Sequence, residues 1–278
     1  MSAVRFIVVC LLLCLFAQAQ AAPDPIHDPQ AYVRTAVQNE LRSQAQHKPQ
    51  WTYRLRKTNA SGMRVSQIIE TRDGLVARLL EINGHTLDPT TAQNERHRLE
   101  QLKADPGQLR QKLARQEKDR DRVLKIVRAL PDALVFTFVG KSDNGSEMRF
   151  SFRPNPQYSP DSLENNLLKA MVGTLTISAP QMRLTTLHGT LEKDVSIGLG
   201  IVGKAYKGGT LDMIQQQIAP SSWEITHLKM AVTARALFRS LDLSVDEALS
   251  DFKPTTHEYT GVEGIDLLLN DRDLLLQK

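Results

Sequence analysis

MVGTLTISAP (Met171–Pro180), QMRLTTLHGTLEKDV (Gln181–Val195), KGGTLDMIQQQIAP (Lys207–Pro220), SSWEITHLKMAVTARALF (Ser221–Phe238) and RSLDLSVDEALSDF (Arg239–Phe252) follow one another along the chain. A glycine-rich joint, SIGLGIVGKAYKGG (Ser196–Gly209), lies between the second and third. The runs are strand-length, rich in Val, Ile, Thr and Leu, and bounded by Gly, Pro, Asp or Ser. No helical crossover separates them, so neighbours pair antiparallel. The alternation changes phase inside one run. Trp223 and Ile225 fall on one parity; Leu228, Met230, Val232, Ala234 and Phe238 fall on the other. Such a strand is bulged or apolar on both faces. His227 follows Trp223 and Ile225 at strand period, on the same face by alternation alone. A broad antiparallel sheet with more apolar surface than one core uses is a container for a greasy ligand. This reading favours binding over chemistry.

Working outward, the amino terminus reads as an export signal. Arg5 precedes an unbroken apolar core, Phe6 to Phe16, and Ala19-Gln20-Ala21 offers a small-x-small cleavage site. The run is shorter than the ~20 residues that span a bilayer. Bulky Leu13 before Cys14 does not fit a lipoprotein box. The expectation is a signal peptide over 1–21 and one domain over 22–278, periplasmic or secreted. Cys10 and Cys14, the only cysteines, leave with the signal, so the mature chain has no disulfide or thiol site. No second apolar run in it approaches membrane-spanning length. A net charge of +4 on 278 residues is too mild for a nucleic-acid partner, and no basic–aromatic stripe is present.

Before the opening stretch, Asp28-Pro29 predicts a capped helix to about Gln46 with Tyr32, Val33, Ala36, Val37 and Leu41 on one face. Trp51 to Arg56, Met63 to Thr71 and Leu75 to Ile82 read as strands joined by tight turns. The segment from Thr90 to Leu130 breaks this pattern. Asp105-Pro106-Gly107 divides it into two helices, and Pro131-Asp132 ends it. From Glu95 to Arg128 it carries 11 Lys/Arg against 6 Asp/Glu. It reads as a solvated helical hairpin, or as a lid or arm that meets anionic headgroups. Its apolar stripe is too sparse for an independent core. Leu99, Leu102, Leu109, Leu113, Val123 and Val127 must therefore lean on the sheet, roofing any apolar space there. Leu134, Phe136 and Phe138 lead to the turn Lys141–Gly145, and Met148, Phe150 and Phe152 return. A Pro-rich connector, a short helix after Asp161 or Ser162, and a last helix around Ile265, Leu268 and Leu269 complete the chain.

Few motifs carry chemistry. Gly198-Leu199-Gly200-Ile201-Val202-Gly203 is a literal G-x-G-x-x-G, but a dinucleotide fingerprint must open a helix, and Lys204–Gly209 is a poor helix and a good turn. Gly140-Lys141-Ser142 lacks the first glycine of a phosphate loop, since Val135 stands there. The seven histidines are scattered, with no metal-ligand spacing, and no nucleophile–base pair or isolated carboxylate pair appears. The expectation is a protein that is not an enzyme, with no catalytic residues, cofactor or metal. Candidates to line a ligand cavity are Trp223, Met213, Met230, Phe136, Phe138, Phe150, Leu109 and Leu113, because Met and aromatic side chains suit promiscuous apolar binding.

Several stretches carry a resemblance: Leu102–Pro106 (LKADP), Val127–Ala133 (VRALPDA), Phe152–Pro156 (FRPNP), Gly198–Gly203, Lys207–Gly209 and Trp223–Thr226 (WEIT). With the order of elements, they resemble the periplasmic lipoprotein-sorting carrier family. They look closer still to a group of uncharacterised secreted bacterial proteins labelled outer membrane lipoprotein-sorting protein. The resemblance implies an α+β, mainly antiparallel fold: a strongly curved half-barrel sheet whose concave apolar face is covered by a helical lid, with the insert at about 90–130. It implies acyl chains of lipids or lipoproteins as ligands. The expected function is a non-catalytic periplasmic carrier for such chains. The alternative is an envelope protein–protein interaction or stress-sensing module that grips its partner with the same sheet.

Overall fold

The structure, a computed structural model, describes residues 23–46, 49–197, 203–236 and 239–270. The expected signal peptide lies outside the described residues. Helix α1 (Pro29–Ala45) starts as its sequence dictates: the Asp28 carboxylate accepts the Ala31 N–H, and Pro29 occupies the first turn. Three strands follow, β1 (Trp51–Asn59), β2 (Gly62–Thr71) and β3 (Gly74–Ile82), then the two-residue β4 (His85–Thr86). The insert is α2 (Pro89–Ala104) and α3 (Pro106–Ala133), capped by Asp88 and Asp105. α3 runs past Pro131 to Ala133, further than Pro131 had suggested. A proline three residues from a helix end removes one hydrogen bond, and the helix tolerates it there.

β5 (Leu134–Lys141) and β6 (Glu147–Pro154) form the expected hairpin, and α4 (Leu163–Leu168) is capped by Ser162. Then come β7 (Met171–Ser178), β8 (Arg183–Leu191), β9 (Val195–Ile197), β10 (Gly203–Ala205), β11 (Thr210–Ala219), β12 (Ser222–Ala236), β13 (Arg239–Pro254) and α5 (Gly261–Asn270). Gly203 opens β10, which pairs antiparallel with β9. No helix begins there, which removes the structural condition for a dinucleotide fingerprint. Residues 198–202 themselves lie outside the described residues.

All strands join one antiparallel sheet in the order β4-β3-β2-β1-β13-β12-β11-β8-β7-β6-β5, with β9 and β10 attached beside β12. β13 is the hinge of this topology. It pairs with both β1 and β12, zipping the first strands of the chain to the later ones. The sheet is open, and its curvature follows from the chain. From β3 to β5 there are nine strand spacings, ~43 Å along the sheet at ~4.8 Å each. Yet Gln116 of α3 is bonded to Leu75 of β3 through both its amide atoms, at 2.8 and 2.9 Å, and α3 continues directly into Leu134 of β5. Eighteen helical residues span only ~27 Å at 1.5 Å each. The two ends of the sheet therefore approach each other, as a half-barrel requires.

The register defines the faces. One row runs Ile82–Arg64–Lys57–Glu247–Leu228–Met213–Leu187–Leu175–Phe150–Phe138 across ten strands. The adjacent row on the other face runs Thr58–Asp246–Lys229–Asp212–His188–Thr174–Ser151–Thr137 and is polar throughout. The first face is apolar over much of its extent. At the β5–β8 end it is packed under α1, α4 and the end of α3, around Phe150, Leu175, Ile177, Leu134 and Val33. Gly173 and Gly189 face each other there. A Cβ on Gly173 would meet the His188 carbonyl at 1.9 Å and the Phe152 ring at 2.8 Å, so the pair of glycines makes room for Phe152 and Met171.

At the β2–β3 end the helices lie on the opposite face. Ile69 and Val76 pack there with Leu99 and Leu102 of α2, Leu109 and Leu113 of α3, and Ile265 and Leu268 of α5. A twist of ~20° per strand accumulates to roughly half a turn over nine steps, so one long helix reaches opposite faces at the two ends. The helical cover was expected over the single apolar face; it is instead divided between the two faces, and the leucines of the insert pack on the face opposite the apolar row. The four leucines of the insert do lean on the sheet, in a closed cluster. Val123 does not, and is 52% exposed.

Candidate functional site

Between the two covered regions the apolar face is bare. Leu79, Ile225, Leu228, Met230 and Val245 are half-buried and belong to none of the packed clusters. Leu55 and Leu249 border them on one side, with Met213 and Leu211 on the other. No helix among the described residues packs closely on β1, β11, β12 or β13. The result is a strip of branched and thioether side chains on one face of the sheet. The phase change in β12 aims them. Ile214 pairs with His227 but Gln215 pairs with Ile225, leaving Thr226 as the bulged residue. Leu228 and Met230 thereby join Trp223 and Ile225 on the apolar face. The same bulge moves His227 to the polar face, against the simple alternation.

The strip has a built border at its Trp223 end. There Glu40 of α1 reaches the sheet. It accepts two bonds from the Arg183 guanidinium (2.8 and 2.7 Å), one from the Leu184 N–H (3.0 Å) and two from the Gln215 amide (3.1 and 3.2 Å). Both charges are buried, and every bond is charge-assisted. Trp223 lies over Arg183, 5.7 Å from ring centre to guanidinium carbon. Sequence reasoning missed this network. Its signal was present, since Glu40 sits on the same helical stripe as Val33, Ala36 and Val37, where an apolar residue is expected.

Beside this network Trp51, Tyr53 and Phe252 form an aromatic group that packs with Ile218 and Ala219 of β11, with ring centres of Tyr53 and Phe252 5.1 Å apart. Burial first, then the carboxylates of Glu70, Glu224 and Glu247, pushes the Tyr53 phenol far above its usual value. It is a neutral hydroxyl at any ordinary pH. The buried Trp51 indole N–H has no hydrogen-bond partner among the described residues.

The eight cavity candidates are not gathered into one space. Phe136 and Phe150 are core under α1, with Phe138 and Met213 packed against them. Leu109 and Leu113 are sealed against α5 on the other face. Trp223 and Met230 are the two on the bare strip. An open groove of about 330 Å³ continues the strip past Met230, lined by Val232, Leu243, Gly208, Gly209 and Lys207. A second open depression, of about 200 Å³, lies at Lys169, Lys193 and Asp194.

The polar face holds two cross-strand pairs, His188 with Asp212 and His227 with Asp246, the latter at 2.9 Å. Lys229 stands in register between the two aspartates. This is a ladder of alternating charge on an exposed surface. Among the described residues no three His, Asp or Glu side chains converge as metal ligands would, and no helix is long and apolar enough to cross a membrane. No family model, curated protein or solved structure matches this chain.

Proposed function

We propose that this protein is a non-catalytic binding protein of the periplasm or the secreted space that shelters acyl chains of lipids or lipoproteins. The observation that supports this most is the bare apolar strip, Leu79, Ile225, Leu228, Met230 and Val245, on one face of the sheet. An acyl chain laid along it would lose water contact at ~25 cal/mol per Å², before the cost of ordering. Met230 and Met213 adapt to chains of different shape. The export signal supports the compartment, and the resemblance to the lipoprotein-sorting family supports the ligand class.

Binding of a fluorescent fatty acyl probe to the mature protein tests the reading. Leu228→Asp and Met230→Asp should each weaken the probe by ~10-fold or more, the order expected from charging a buried apolar contact. Thr174→Asp, exposed on the polar face and away from the groove, should leave it unchanged. Absence of saturable binding to the unmodified protein overturns the reading. A clean apo mass, with one envelope protein captured through the same strip residues, would replace it with the partner-gripping alternative.

A further inference from the structure

α3 is a strap. Its first turns are anchored by Leu109 and Leu113 and its last by Leu130 and Ala133, and residues 117–123 between them are exposed. Its charge is unlike that of the rest of the chain. Eight of the 35 basic residues and four of the 31 acidic residues lie on it, which leaves 27 of each elsewhere. The whole formal net charge of +4 is therefore carried by this one helix.

The cations are also sorted around the axis. At ~100° per residue, Arg110, Arg115, Lys118, Arg122, Lys125 and Arg128 fall within an arc of roughly 140°, opposite the anchoring leucines, with Asp121 the one carboxylate inside it between Arg110 and Arg128. All six are exposed. Only Arg122 has a carboxylate partner among the described residues, Asp119, and that pair is itself exposed. The row is ~27 Å long. Over that length the arc holds six cations against one carboxylate, whereas the exposed charges of α2 pair off through Arg98–Glu95 and Arg96–Glu100.

We infer that the outer side of α3 is an electrostatic docking face for an anionic lipid bilayer. The complementary partner is a flat, negatively charged surface that meets several aligned cations at once, each contributing attraction that fades within a Debye length. The apolar side of α3 is already spent on the sheet and α1. The contact is therefore peripheral and salt-reversible rather than an inserted amphipathic helix. This docking presumes the carrier reading only for its purpose, which would be to bring the bare strip to a membrane that supplies or receives acyl chains.

Co-sedimentation of the mature protein with vesicles tests it. Vesicles of phosphatidylcholine with added phosphatidylglycerol should bind the protein, and pure phosphatidylcholine vesicles should not. Raised salt should release it. The combined variant Arg115→Gln, Lys118→Gln, Arg122→Gln and Lys125→Gln keeps good helix formers and should lose at least ~10-fold in partition. Its circular dichroism and its affinity for the soluble acyl probe should be unchanged. No preference for anionic vesicles, or equal binding by the variant, overturns the inference. Probe binding measured on the same samples judges the carrier reading independently of that outcome.

Discussion

The two halves of the apolar face are written in the same alphabet and used differently. At the β5–β8 end, alternating Phe, Leu and Ile are closed under α1, α4 and the end of α3, and Phe150 is fully buried. Across β12 and β13, the same alternation of Leu, Met and Val has no helix over it. The strands do not differ in pattern; the cover does. A core and an open apolar strip can thus share one register and one row of side chains. The boundary between them is the buried Glu40–Arg183–Gln215 knot with Trp223 stacked upon it.

This contrast can be broken by mutation. The largest effects belong to the covered half and its border. Phe150→Ala should cost ~3–5 kcal/mol of unfolding free energy in urea denaturation. Glu40→Ala should cost about the same, because it strands a buried guanidinium, and Glu40→Leu with Arg183→Met should recover most of the loss. If Glu40→Ala is nearly neutral, the knot does not hold α1 to the sheet.

Smaller effects belong to the bare strip and the sheet edges. Leu228→Ala should cost only about 1 kcal/mol, since much of the side chain already meets water. A cost equal to that of Phe150→Ala would make the strip ordinary core and remove the binding surface. Each edge of the sheet is closed by a helix-borne glutamine. Gln116 bonds both backbone atoms of Leu75, and Gln30 donates to the Leu134 carbonyl and accepts the Phe136 N–H. Arg98 and Glu95 extend the cover to Ala77 and Leu79. Gln116→Ala and Gln30→Ala should each cost about 1 kcal/mol and raise the tendency to aggregate, by exposing a strand edge. Smallest of all, the four glutamine substitutions on α3 should change stability by no more than ~0.5 kcal/mol, however much they change vesicle binding.

Replacing residues 90–130 by a short Gly/Ser link sharpens the comparison differently. The insert supplies four leucines to the β2–β3 core and the side chains that seal the β3 edge. The shortened chain should therefore be insoluble or loosely folded, as read by near-ultraviolet circular dichroism. A folded, probe-binding product would mean that the insert is only an arm.

Much was legible in the sequence because it is local. The caps at Asp28 and Asp105, the Asn144-Gly145 hairpin and the strand alternation each rest on neighbours a few residues away. Even the bulge at Thr226 announced itself as a change of phase. The apolar surplus of β11, β12 and β13 was equally readable, and with it the candidate residues Met230 and Trp223. What the sequence could not settle is which apolar residue is covered, because cover comes from helices far away along the chain. Leu109 and Leu113 looked like cavity residues and are sealed against α5, over 140 residues later in the chain. His227 looked aligned with Trp223 and is turned away by one extra residue. The strand order, with β13 joining β1 to β12, and the half-turn of twist that sends α3 to opposite faces arise only when all the strands pair at once. Alternation fixes which side chains share a face; only the assembled sheet decides which face meets a helix and which meets water.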